Sequence, residues 1–433
     1  MRLFMSIYAD DVQLQPYWWE AAPRPSEPSQ ALPDRAEIVI VGSGYTGLNA
    51  ALELAEAGVK VLVLDAEELG HGASTRNGGA IGATLRYSYG RLVKRVGIDH
   101  ANRLYRSAIA SREYVIKLVE SRGFDCAFSR CGRFYGAHRK GDYDSLARDL
   151  DLRSTHLESA AVMVPRAEQR KYVGTNAYFG GRFQPEDGHL HPGLYHDALL
   201  KEVRMAGGTV LGRSRVTKVE TAGSEYVVHT ARGRIRAGQV LVATNAYTGS
   251  EFQWFRRRLI PIQSQIIATE ELDAAVLDEV IPEDAQIGDT CKLHNYYRRS
   301  PDGLRILFGG RSGASQVDDF RKSGESLHRR LGGLFPQLKD TKITHSWGGL
   351  IAFSFDQTPH FTESKGLHYV GGCCGSGVAM MSYLGQQVAR KLLGRDYDAT
   401  FQKPLRSQPF YNGSPWWMPA IITTLELRDR FRI

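Results

Sequence analysis

The sequence is poor in cysteine: five in 433 residues, an odd number with no framework spacing. That excludes a disulfide-built scaffold and points to a reducing compartment. The adjacent Cys373 and Cys374 cannot easily close a relaxed disulfide on each other. No apolar run approaches the roughly 20 residues that cross a bilayer, and the N-terminus has no signal-peptide core. A cytoplasmic protein without a membrane span is therefore expected. Charge of one sign is not concentrated either. The net charge of +8 is spread along the chain in short clusters such as Arg256-Arg257-Arg258. This argues weakly for an anionic ligand and does not by itself argue for nucleic acid. No obvious catalytic triad or metal-ligating cluster stands out, so no metal is expected.

What is present describes a globular protein with ample core. Hydrophobic residues make up 42% and charged residues 24%, and the length suits two or three domains. The chain is organised around Glu37–Asp65. A β-branched run, Ile38-Val39-Ile40-Val41, reads as a strand buried on both faces. Gly42, Gly44 and Gly47 follow in G-x-G-x-x-G spacing, then an apolar helical segment from Leu48 to Ala57, then a strand from Lys60 to Leu64 that ends on Asp65. A strand, glycine turn, helix, strand and acid within about 30 residues is the context that the dinucleotide fingerprint requires. One glycine makes the turn, the next lets backbone approach a pyrophosphate, and the third lets helix pack on strand. The helix N-terminus offers unpaired N–H groups and the positive end of its dipole. Asp65 is placed to take ribose hydroxyls. These residues alone leave open which dinucleotide is held.

The rest of the chain alternates between strand and helix signals. Residues 1–35 form an arm with Tyr17-Trp18-Trp19 and a proline-rich linker, and the aromatic cluster is expected to pack on the protein's own body. A glycine-rich segment follows Asp65, and small residues there allow backbone to approach a flat ligand. A helix is expected over 91–120, a strand pair around Gly132, and a helix from Pro192 to Ala206. His189 and His191 precede that helix and read as structural. Strands are expected over 209–219, 226–230 and 232–237, then a buried strand running into Ala243 and Thr244. Pro301-Asp302-Gly303 supplies turn chemistry for a hairpin. A short helix is expected over 327–334. Leu367–Gly371 enters a glycine turn that feeds a helix from Val378 to Leu393, repeating the logic of the opening unit. The expected fold is α/β, with a Rossmann-like domain interleaved with an antiparallel-sheet domain. The first is assembled from 36–90, 185–255 and 344–400, the second from 91–184 and 256–343, with 401–433 as a tail.

The motifs VGSGYTGLNAALELAEAG, LDAEELGHGASTRNGG, LVATNAYTG, YYRRSPDGLRILFGG, WGGLIAFSFDQTPHF and YVGGCCGSGVAMM occur in this order. Together they resemble the FAD-dependent amine and amino-acid oxidoreductases related to D-amino acid oxidase, glycine oxidase and sarcosine oxidase. The aromatic arm, the GASTRNGG segment and the Pro415-Trp416-Trp417 motif look most like gamma-glutamylputrescine oxidoreductase-like members. The resemblance implies that Gly42, Gly44 and Gly47, with Tyr45 and Thr46, cradle the FAD pyrophosphate, and that Asp65 and Ala66 meet the adenosine. Ser74, Arg76, Asn77, Gly78 and Gly79 would run along the pyrophosphate and flavin ring. Val216, Ala243 and Thr244 would also contact the cofactor, and Gly375, Ser376, Gly377 and Val378 would lie under the flavin pyrimidine. There the following helix can stabilise negative charge on the reduced ring. Ser376 departs from the commoner G-H-G turn. Relatives with a covalent flavin use a histidine where this chain has Asn77, or a cysteine before a segment that here reads WGGLIAFSFD. Non-covalent FAD is therefore expected, with His71 the residual candidate for a tether.

In such enzymes the flavin carries the hard chemistry. The protein must align the substrate C–H with the ring and stabilise its reduced form. The resemblance places Tyr297 and Arg305 on hairpin arms facing the flavin. Arg305 would then be a cation acting in oxygen activation, or else a surface strand arginine. One residue of register would put Tyr296 or His294 on the ligand side instead of Tyr297. Arg86 resembles a substrate-carboxylate arginine, though a structural ion pair is the favoured reading, and Trp347 is a candidate cavity wall, with packing the commoner role for a tryptophan before Gly348-Gly349. A second carboxylate-binding cation of the family would fall at Ala379, and its loss favours an amine with its polar groups further out. The expected substrate is a small-molecule amine, with oxygen or an electron-transfer partner as acceptor and the oligomeric state open. The alternatives are an N-methyl or D-amino acid oxidoreductase, an NAD(P) dehydrogenase, and a non-catalytic flavoprotein subunit.

Overall fold

The computed structural model describes residues 6–24, 30–311 and 319–431. The middle of the proline-rich linker, 25–29, lies outside the described residues. Two large sheets organise the chain. In the first, the described strands run 216–222, 225–230, 233–242, 35–41, 61–64 and 209–211, and 367–371 joins the long strand 233–242 and in turn pairs with 360–364. Strand Arg35–Val41 sits at its centre, with Val39 opposite Val240 on one side and Leu62 on the other, all parallel. Its residues 38–41 are buried because the sheet is covered on both faces. One cover consists of the helices Tyr45–Glu56 and Gly377–Leu392, joined by Ile98–Arg122. The 45–56 and 377–392 helices approach so closely that a Cβ on Gly385 would lie 2.3 Å from the Thr46 carbonyl oxygen. The glycine makes that packing possible.

The second sheet is nine-stranded among the described residues. Its order is 8–13, 343–354, 259–269, 306–310, 295–299, 286–289, 133–136, 181–184 and 162–164. Side chains alternate across it. Tyr297, Phe308, Ile267 and Ile287 face one side, where helix Phe320–Leu334 closes a second core. Tyr296, Leu307, Ile266 and Trp347 face the other side, toward the first sheet. The expected mixed α/β class is observed. Two boundaries differ from the sequence reading. Strand Ile343–Ser354 pairs along its length with Leu259–Thr269, so 344–354 belongs to the second sheet. Tyr8–Gln13 is an edge strand of that sheet, so the arm begins as part of it.

Smaller differences have local causes. The helical pattern over 91–120 divides into Tyr89–Val96 and Ile98–Arg122 because Gly97 takes a φ of +76°. The strand pair expected around Gly132 is a single strand, Arg133–Gly136, whose partners 181–184 and 286–289 are distant in sequence. The helix expected over 327–334 extends back to Phe320, capped by the Asp319 carboxylate, which accepts from Arg321 N.

Candidate functional site

A cavity of about 1150 Å³ lies between the two sheets. Its first end is the glycine turn after strand 35–41. Gly42 has a φ of +106°, and a Cβ there would lie 3.0 Å from the Ala243 carbonyl oxygen. Both conformation and space call for glycine. A Cβ on Gly47 would lie 1.9 Å from the Gly42 carbonyl oxygen, so the third glycine seats the helix on the turn and does not itself line the cavity. Asp65 accepts from Ser43 N at 2.8 Å and from Ser43 Oγ at 2.6 Å, which fixes its carboxylate at the cavity wall beside Ala66 and Val216. Gly44, the N-cap of helix 45–56, offers no side-chain cap. Ser74 reaches across and accepts from Tyr45 N at 3.0 Å. Thr46, Ala243 and Thr244 complete this end.

The middle of the cavity is the segment 74–79, and three tryptophans bond to it, two of them to its backbone. Trp19 Nε1 donates to Thr75 Oγ1 at 2.9 Å, Trp347 Nε1 to the Arg76 carbonyl at 3.0 Å, and Trp18 Nε1 to the Asn77 carbonyl at 2.8 Å. The Arg76 guanidinium lies 4.6 Å from the Trp19 ring and donates to the carbonyls of His71 and Gly348. Burial holds its pKa below the usual arginine value. Asn77 closes the turn with its own side chain, donating to the Ala73 and Ser74 carbonyls and accepting from Gly79 N. Gly79 has a φ of +73° and packs against the Leu190 carbonyl outside the cavity. Gly78 lies under Tyr296, with a built Cβ 3.2 Å from that ring. The aromatic arm thus packs on the protein's own body, at the backbone that lines the site. The side chain of His71 lies beside Trp19, and burial holds its pKa down.

The third region is the turn 372–377. Cys374 (φ +49°) and Gly375 (φ +96°) bend the chain into helix Gly377–Leu392. Asn245 anchors the turn, accepting from Gly372 N at 2.9 Å and donating to Cys373 Sγ at 3.4 Å. Burial pushes the Cys374 thiol up to about 12, so it stays protonated and acts as packing. Ser376 directs its hydroxyl to Thr84 instead of capping its own helix, which leaves that first turn without a side-chain cap on the cavity wall beside Val378.

The second sheet forms the roof. Tyr296 lines the cavity with Oη 2.9 Å from Ser264 Oγ, and burial pushes its pKa up to about 12. His294 lies beyond it, with Nδ1 2.7 Å from the Asp289 carbonyl oxygen. Arg86 stands exposed on the cavity margin, 6.0 Å from the Phe353 ring.

A family model described as DAO, FAD dependent oxidoreductase, matches residues 37–391. The chain belongs to this family. The probable oxidoreductase OrdL of Rhizobium meliloti (strain 1021) is 31% identical over 428 residues, spanning 96% of this chain and 97% of the relative. The gamma-glutamylputrescine oxidoreductase of Escherichia coli (strain K12) is 30% identical over 406 residues, spanning 92% and 93%. The crystal structure of glycine oxidase from Geobacillus kaustophilus has the same fold, with a TM-score of 0.70 at 20% identity over 88% of this chain and 99% of that one. The protein is therefore an FAD-dependent oxidoreductase of the kind that acts on amines and amino acids, which removes the NAD(P) dehydrogenase alternative.

The cavity suits this family's cofactor. Two helix N-termini, at Tyr45 and Gly377, reach it without caps from their own N-cap side chains. Side chains built on Gly375 and Gly377 would project into open space, as a cradle for a flat ring requires. Besides Gly47 and Gly79, which lie outside the cavity, three further sequence expectations are corrected. Tyr297 does not line the cavity: it is 1% exposed in the second core, stacked on Phe308 with its hydroxyl 3.1 Å from that of Tyr178. Strand alternation gives the cavity face to Tyr296. Arg305 lies by the hairpin turn, donating to the Thr269 carbonyl and pairing with Glu271 at 3.0 Å, also away from the cavity. Trp347 is fully buried behind Arg76 and walls the segment, not the cavity.

The sequence reading missed the far end altogether. Arg133 and Tyr135, on one strand, pair with Gln184 and Arg182 on the next, so all four share the cavity face, and Arg153 joins them from helix Lys140–Ser154. Their arginines carry no motif, and only the tertiary pairing brings them together. Trp417 and the helix Met418–Phe431 close another margin. There the Asp429 carboxylate accepts from Lys292 N and Leu293 N.

Proposed function

We propose that this DAO-family protein oxidises the C–N bond of an extended primary or secondary amine, of the gamma-glutamylputrescine kind, to an imine that water then hydrolyses. Non-covalently held FAD would supply the acceptor for the hydride that leaves the carbon next to nitrogen. Electrons pass on to oxygen or another acceptor, and the five unpaired cysteines suit a reducing, cytoplasmic setting. The observation that carries this reading is the continuous cavity that starts at Asp65, passes between segment 76–78 and Tyr296, and continues to strands 133–136 and 181–184. It offers room for a long substrate beyond the ring end of the cradle. The name of the Escherichia coli relative supplies the substrate class.

Tyr296 and Ser264 would orient the amine over the ring. The segment fixed by the three tryptophans would hold the ring edge, and the 377–392 helix N-terminus would favour negative charge developing there. Ala379 offers no cation and Arg86 stands exposed on the margin, which disfavours a small α-amino acid clamped by its carboxylate. For the same reason the N-methyl or D-amino acid reading ranks second.

The purified protein is expected to be yellow and to release its flavin into the supernatant on acid precipitation. Anaerobic titration with an amine panel is expected to bleach it, and admission of air then separates oxidase from dehydrogenase by peroxide formation. Colour in the pellet would overturn non-covalent binding. Failure of every amine to bleach it would favour a non-catalytic subunit, for which exposed Phe410 and Trp416, at 97% and 75%, would be the docking aromatics.

A further inference from the structure

The far end of the cavity holds more positive charge than the protein neutralises. Arg86, Arg133, Arg153 and Arg182 line it with Asp149 and Asp187. Both acids are already engaged. Asp187 lies 3.3 Å from Arg112 and 3.8 Å from Arg133, and Asp149 accepts from Tyr89 N and Gly90 N at the start of helix 89–96. Among the described residues, no carboxylate lies within ion-pair distance of Arg153 or Arg182.

These arginines are held in place by packing. Arg153 is 7% exposed, donates to Ser159 Oγ and Gln184 Oε1, and stands 5.8 Å from the Tyr105 ring. Its Nε and that of Arg182 are buried without partners. Burial, and then the charge of Arg182, hold the Arg153 pKa below its ordinary value. Gln286, 2% exposed on the neighbouring strand, has a buried Oε1 that also lacks a partner. These buried atoms lie out of reach of a ligand in the cavity, so binding there falls to the remaining guanidinium nitrogens of Arg153 and Arg182, both of which line it.

Two guanidiniums with no carboxylate in ion-pair reach complement a carboxylate. We infer that this chamber, built from Arg153 and Arg182, binds a carboxylate at the end of the substrate remote from the oxidised C–N bond. The inference rests on the reading above that the reacting carbon lies beneath Tyr296. Strands 295–299 and 181–184 are three positions apart in the sheet. At about 4.8 Å per strand, carboxylate and reacting nitrogen are separated by about 14 Å. Such a substrate is an amine tethered through a long chain to a carboxylate, and a plain diamine would leave the chamber unfilled.

The test uses FAD-loaded protein and a probe that cannot be oxidised at the reacting end, γ-glutamyl-n-butylamide, against its α-methyl ester. Calorimetric titration is expected to show the acid binding more tightly by about tenfold or more, as loss of a charge-assisted hydrogen bond predicts. Arg182→Gln and, separately, Arg153→Gln are expected to bring the two affinities together, and Arg182→Lys to restore part of the difference. Melting temperature and flavin content of each variant report whether it folds. Should Arg153→Gln fail to fold, the half-buried Arg182 decides the question. Equal binding of acid and ester to the unaltered protein, or a preference that survives Arg182→Gln, would overturn the inference. The readout needs no turnover, so it stands apart from the oxidation reading, which fails instead if neither γ-glutamylputrescine nor putrescine bleaches the flavin.

Discussion

Trp18→Phe tests whether the N-terminal arm acts through the cofactor site. Trp18 is fully buried, and its Nε1 donates to the Asn77 carbonyl at 2.8 Å. Phenylalanine keeps an aromatic ring against His191 and Trp347 but removes this donor. A buried carbonyl that loses its partner costs about 1–3 kcal/mol. Asn77 also lines the cavity, and its side chain closes the turn that positions Gly78 and Gly79. The cost therefore falls on the backbone that lines the cavity. If bound FAD requires the conformation of that backbone, its dissociation constant rises by roughly ten- to a hundredfold. The assay is reconstitution of apoprotein with FAD, followed by flavin fluorescence, with melting temperatures of the apo and loaded forms. The gap between those temperatures is expected to narrow, because ligand stabilisation scales with the logarithm of concentration over dissociation constant. Equal falls in both temperatures with unchanged FAD affinity would refute the reasoning and reduce the arm to general packing.

Tyr297→Phe removes a hydroxyl contact in the second core and is expected to cost about 1 kcal/mol in denaturant unfolding while leaving amine titrations of the flavin unchanged. Tyr296→Phe is expected to raise the amine concentration for half-bleaching by about tenfold, and the reverse pattern would reject the strand register. Arg305→Ala breaks an ion pair with exposed Glu271, which is worth under about 1 kcal/mol; stopped-flow reoxidation by oxygen is expected to match the unaltered protein, and marked slowing would reinstate an oxygen-activating role. Burial pushes Asp356 up, but His360 and Lys403 outweigh it and hold its carboxyl well below the ordinary range. A depressed carboxylate stabilises the fold above its unfolded pKa of about 4 and loses that contribution as pH falls toward the folded value. Asp356→Asn is expected to flatten the acid limb of the melting-temperature profile, and an unchanged limb would assign acid unfolding elsewhere.

The boundary between legible and illegible runs through particular residues. Gly42, Gly44 and Gly47 could be read because turn, phosphate approach and helix packing follow from local spacing, and the structure has the strand, turn and helix there. The hairpin around Gly303 could be read from turn chemistry, but not which arm residue faces inward. Tyr296 and Tyr297 are equally aromatic neighbours, and a strand sends successive side chains to opposite faces. Tertiary pairing alone assigned Tyr296 to the cavity and Tyr297 to the core. Arg305, read as a possible cation near the ring, ended beside Glu271 because it sits at the turn and not along the strand.

By itself the sequence determined the α/β class, the two strand-glycine-helix units at either end of the chain and the acid at 65, since each depends on residues within a few turns of one another. Only the tertiary structure decided that Trp18, Trp19 and Trp347 converge on one backbone segment. It alone collected Arg133, Arg153 and Arg182 on one wall. Those groupings depend on strand partners and helix packing between segments tens to hundreds of residues apart, and no local periodicity carries that information.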